Sequence, residues 1–98
     1  MPAYVIAAVE DAWDQDKLAQ YREGNTAVVT EHGGRFVARG GATAVLEGDW
    51  DPQRIVLIEF PDMDAARAWY ESDGYAPLRE LRKSASTTNI VVVEGLGS

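Results

Sequence analysis

Glu59 stands in "RIVLIEF" (54–60), the most apolar strand-like run of the chain, and Arg39 stands beside Gly40 and Gly41 in "GGRFVARGG" (33–41). A carboxylate among Ile, Leu and Phe either takes a cationic partner or holds its proton to higher pH than in water. In the second case it serves as an acid or a base. An arginine beside two glycines meets whatever approaches the bare backbone there, and its guanidinium grips a carboxylate through two N–H groups. The pair is therefore expected to carry any catalysis, with Glu59 moving a proton and Arg39 stabilising negative charge. Each also has a structural use. Glu59 pairs with Arg39 or Arg82 at a strand end, or Arg39 simply reaches solvent.

Around this pair, Glu47, Tyr70, Tyr75 and Arg82 are the expected substrate-binding residues. Glu47 repeats the Glu59 pattern at the entry to a turn. Tyr70 and Tyr75 lie with Trp69 around a helix break, where aromatics usually build core. Tyr75 follows Asp73-Gly74, so its hydroxyl is expected at a cleft mouth. Arg79 and Arg82 are three apart and share a helix face. His32, the single histidine, falls at a helix end where it meets the negative pole of the helix, with a haem ligand or general base as the other uses.

Zero cysteines exclude thiolate chemistry and disulfides, and one histidine leaves no protein metal site beyond carboxylates, so no metal and no cofactor are expected. Ser84 and Ser86 have no histidine near them in sequence, and the glycines of 33–41 break a strand instead of opening a helix over a phosphate.

The elements that must position these residues follow from patterning. Tyr4 to Glu10 reads as a strand, and about 14–30 as a helix with Leu18, Tyr21, Val28 and Val29 at helical spacing, interrupted by Asn25. Asp14 or Asp16 caps it and "HGG" stops it. A long strand from Arg35 to about Glu47 is expected, bent at Gly40-Gly41. "RIVLIEF" is the next strand, ended by Pro61. Asp62 then caps the helix "MDAARAWYES", Pro77 opens the helix "PLRELRKS", and "NIVVVEG" is the last strand. This order predicts an α+β, ferredoxin-like split βαβ fold (βαββαβ) with an antiparallel sheet, one domain over 1–98.

Alternation then makes a demand. Ile55, Leu57 and Glu59 share one face of their strand, while Val56, Ile58 and Phe60 take the other. The first and last strands are likewise apolar on both sides. Helices cover one face only, and leaving several Val, Ile and Leu side chains wet forfeits several kcal/mol at about 25 cal/mol per Å². That is comparable to the stability of a small domain. A homodimer packed sheet to sheet is expected.

The blocks "GGRFVARGG", "LEGDW", "RIVLIEFPDMDAARAWYES" and "NIVVVEG", in that order over nearly the whole chain, resemble the family labelled domain of unknown function thirteen-thirty, of the dimeric α+β barrel superfamily. The resemblance implies the same fold and dimer but brings no reaction. The superfamily spans isomerases, cofactor-free monooxygenases, haem-degrading enzymes and cyclases, and fold-level likeness does not choose among them.

A net charge of −7, from 9 Lys+Arg against 16 Asp+Glu, argues against nucleic acid and anionic membranes as partners. Nothing resembles a leader or a membrane span, so a cytoplasmic protein is expected. The expected function is binding of a small anionic or carbonyl-containing metabolite between sheet and helices, with cofactor-free isomerase- or lyase-like proton transfer. The alternative is a non-catalytic dimer that binds a metabolite or a protein.

Overall fold

The chain runs β1 (Ala3–Ala12), α1 (Gln15–Glu31), β2 (Arg35–Arg39), β3 (Arg54–Phe60), α2 (Met63–Glu71), α3 (Ala76–Lys83) and β4 (Ser86–Glu94) in the computed structural model, which describes residues 1–97. The strands form one antiparallel sheet in the order β2-β3-β1-β4. With α2 and α3 together standing as the second helical segment, this is the expected βαββαβ arrangement.

The helix boundaries follow local chemistry. The Asp14 side chain accepts from the Lys17 N–H at 3.1 Å and Asp62 from the Ala65 N–H at 2.8 Å, each satisfying a donor that the first turn leaves free. Gly33, at φ +77°, turns the chain after α1, and the Gly34 N–H returns to the Val29 carbonyl at 2.9 Å. His32 is the α1 cap residue, and its Nδ1 lies 2.8 Å from the Val28 carbonyl oxygen. The ring is occupied at the helix end, as expected for a capping histidine.

One strand is shorter than the sequence suggests. β2 ends at Arg39 instead of running on to Glu47. Gly40 adopts φ +74°, its N–H makes a last bond to the Ile55 carbonyl at 3.0 Å, and residues 41–51 then leave the sheet as an exposed loop. The positive φ is what requires glycine there, and a Cβ would in addition oblige the Arg54 guanidinium to move aside.

The core lies between the sheet and the helices. Trp69 is its hub, 4.4 Å from Tyr75 and 5.5 Å from Phe60 between ring centroids, with Val5, Val29 and Ile58 packed around them. The register separates the strand residues onto two faces. Under the helices, one row reads Arg39, Val56, Ala7, Ile90 across the four strands, and the next reads Arg54, Val9, Thr88. On the other side, the rows read Arg35, Glu59, Tyr4, Val93 and then Ala38, Leu57, Ile6, Val91.

Two register shifts decide which residues fall under the helices. In β2 the pairing slips between Phe36 and Ala38, so Val37 is an extra residue. Strict alternation would put Arg39 on the same face as Arg35, and the bulge sends it to the other. In β1 the slip between Val9 and Asp11 does the same for Ala12, which pairs with Ser86. No described helix is long and apolar enough to cross a membrane.

Candidate functional site

A cavity of about 290 Å³ lies between the sheet and the helices. Its floor is made by the helix-side rows, where β1 contributes Ala7, Val9 and Ala12. Two of these three are alanines, and that is why the space is not filled. The roof is the α1 face of Leu18, Tyr21, Arg22 and Asn25, which recur at three- and four-residue spacing, closed by Trp69 of α2 and Arg82 of α3.

Four arginines line this cavity: Arg22, Arg39, Arg54 and Arg82. No Asp, Glu or His is among the lining residues. Among the described residues the ion pair is Arg35 with Glu59, which is on the far side of the sheet. The Arg39 guanidinium sits 3.8 Å over the Phe36 ring and is fixed by two bonds to α1, donating to the Thr26 hydroxyl at 2.9 Å and the Arg22 carbonyl at 2.7 Å. Partial burial and the nearby Arg54 and Arg22 charges pull its pKa below the ordinary arginine value, and burial and Arg22 do the same to Arg54. Like charges are thus held together with no carboxylate in the lining, a costly arrangement.

Arg82 is different. It is only 6% exposed, and its Nε is buried with no hydrogen-bond partner. Burial opposes its charge, but the phenol oxygens of Tyr75, Tyr21 and Tyr70 outweigh that and hold its pKa above the ordinary value. Tyr21 and Tyr75 share a hydrogen bond of 2.8 Å. Burial first, and then Tyr75, push the Tyr21 pKa up, so this phenol stays protonated and does not act as a base. Asn25 completes the network. Its carbonyl accepts from Trp69 Nε1 at 3.0 Å while its amide reaches the Tyr21 oxygen at 3.5 Å. The residue that interrupts the apolar stripe of α1 is therefore the polar joint between α1 and α2.

Of the expected site residues, Arg39 and Arg82 line the cavity. Glu59 does not join them. It faces the opposite side of the sheet, where Arg35 Nε donates to it at 3.0 Å, and Arg35 and Tyr4 hold its carboxyl below the ordinary glutamate range. Two neighbouring strands present alternate residues, and the Val37 bulge puts Arg39 out of phase with Glu59, so the expected pair is split by the sheet itself. Glu47 is exposed on the 41–51 loop, away from the cavity. Tyr75 is fully buried instead of standing at a mouth, because its ring fills the core against Trp69 and its hydroxyl is taken by Tyr21. Tyr70 stacks between Tyr75 and Arg79 and lines two shallower depressions, not the main cavity.

Arg22, Arg54 and Asn25 were not singled out from sequence. Arg54 was within reach, since it heads the helix-side alternation Arg54, Val56, Ile58, Phe60. Arg22 and Asn25 were within reach too, standing one and four residues after Tyr21 on the buried helix face.

Solved structures share this architecture. A protein of unknown function from Rhodopseudomonas palustris superposes with TM-score 0.79 at 18% identity, over 99% of this chain and 84% of that one. A dimeric ferredoxin-like protein of unknown function from Jannaschia sp. CCS1 gives 0.75 at 14% identity, over 97% and 100%. SnoaB, a cofactor-independent oxygenase from Streptomyces nogalater, gives 0.65 at 15%, over 99% and 95%. At these identities the likeness establishes the fold alone. No curated protein matches the chain. The family model described as Domain of unknown function (DUF1330) matches residues 2–96, and the chain belongs to that family.

Proposed function

We propose that this protein binds a small organic anion in the cavity between sheet and helices, as a homodimer formed through the opposite sheet face. The observation that carries the reading is four arginines on one cavity whose lining has no carboxylate, in a chain of net charge −7. An acidic protein that keeps its guanidiniums uncompensated in one place holds them for a ligand. The aromatic and aliphatic parts of the lining, Phe36, Trp69 and Val56, suit an apolar body carrying the acid group.

The cavity offers donors and no base, so binding is better supported than proton transfer. Glu59 and Arg39 cannot act on one molecule within a subunit. Self-association is supported by the outer face, where Val91 is 54% and Val93 48% exposed, in rows shared with Ile6, Leu57 and Tyr4. The Jannaschia neighbour is itself described as dimeric.

Calorimetric titration with benzoate tests the anion reading. Arg39→Gln and Arg54→Gln are each expected to weaken binding about tenfold or more, with Arg35→Gln on the outer face as the control. In the absence of ligand Arg54→Gln should stabilise the protein by about 1 kcal/mol, because it relieves the like-charge cluster. Benzoate binding that ignores both cavity substitutions would sink the reading.

A further inference from the structure

The cavity charges are not one cluster. Arg39 on β2 and Arg54 on β3 stand near one edge of the sheet with Arg22 of α1 beside them, and all three line the cavity. Arg82 lies near the other edge, where the Ser86 hydroxyl of β4 bonds to its carbonyl, and the groups acting on it are tyrosines. The register measures the gap. Arg54, Val9 and Thr88 form one row across β3, β1 and β4, two strand spacings or roughly 10 Å from end to end. Between the ends the floor is Ala7, Val9 and Val56, which offers a charged group nothing.

We infer that the ligand is a dianion with its two acid groups held apart at opposite ends of a flat apolar body, one met by Arg39 and Arg54 and the other by Arg82 with Thr88. This rests on the anion-binding reading and specifies its substrate class. A monoanion would neutralise one end and leave the other bare. Arg82 lines the second end although only 6% of it is exposed, and an acid group there would pair its guanidinium. A separate, more open depression shares Arg82, Ser86 and Thr88 with the cavity and adds Lys83, so positive charge and hydroxyl donors extend along the β4 side. Phe36 and the edge of Trp69 in the lining favour a ring as the spacer.

Three probes of one scaffold decide the matter by calorimetry at fixed pH and salt: benzoate with one carboxylate, phthalate with two adjacent, and terephthalate with two opposed. Phthalate and terephthalate carry the same charge, so a difference between them reports spacing alone. Terephthalate is expected to bind about tenfold more tightly than phthalate, and Arg82→Gln to erase that preference. Thr88→Val repeats the test at the same end without disturbing a buried charge, and is expected to narrow the preference. Phthalate and terephthalate binding within twofold of each other in the native protein would overturn the two-ended ligand and leave the anion-binding reading intact. Failure of all three probes to bind would overturn both.

Discussion

The two faces of the sheet use the same residue type in opposite ways. On the outer face Arg35 meets Glu59 at 3.0 Å, mostly in water, inside a patch of Ile, Leu and Val. On the inner face Arg39, four residues along the same strand, meets other arginines and no carboxylate. A solvent-exposed pair of the first kind contributes little to stability and is better understood as setting register or partner geometry. A cluster of the second kind costs stability until a ligand arrives, which is the mark of a site. What separates them is one extra residue, Val37, since it changes the phase of alternation between Arg35 and Arg39.

The comparison can be broken most forcefully from the outer face. Leu57→Glu places a charge at the centre of the proposed dimer patch, and dissociation is expected to rise at least about thirtyfold, the effect of a central interface residue. Analytical ultracentrifugation reads it. A dimer of unchanged affinity would show that this face is not the interface. Next comes the joint over the cavity. Asn25→Leu leaves the Trp69 N–H buried without an acceptor, and a loss of about 1–3 kcal/mol is expected in urea unfolding. A smaller loss would mean that the roof is held by packing alone.

The smallest effect concerns Glu59. Its carboxyl is held below the ordinary glutamate value, so the folded state binds the proton less readily than the unfolded chain. The resulting stability is present above the ordinary glutamate range and is lost as pH falls through the lower, folded value. Glu59→Gln is therefore expected to flatten the acid limb of a stability–pH profile and to leave anion affinity at neutral pH unchanged. A parallel loss of anion binding would show that the two faces are coupled.

Much of the architecture was legible beforehand. The caps Asp14 and Asp62, the Gly33 turn, the strand "RIVLIEF" and the doubly apolar strands all appear where local chemistry puts them. The candidate site was legible in part. Arg39 and Arg82 line the cavity, Arg82 from a helix face turned to the core and Arg39 by way of the bulge at Val37. Glu59 was misplaced for a definite reason. Its own face was read correctly, together with Ile55 and Leu57, but the face of Arg39 could be known only after counting through a bulge. Tyr75 was misplaced because a glycine-marked helix break also describes a chain diving into the core, and only packing against Trp69 distinguishes the two.

The order of elements and the surplus of apolar strand surface belong to the amino-acid sequence, since capping, alternation and glycine conformations act over a few residues. The gathering of Arg22, Arg39, Arg54 and Arg82 around one space belongs to the tertiary structure. Those four come from α1, β2, β3 and α3, and bulges and strand register, which depend on the partner strand, decide which way each β side chain points.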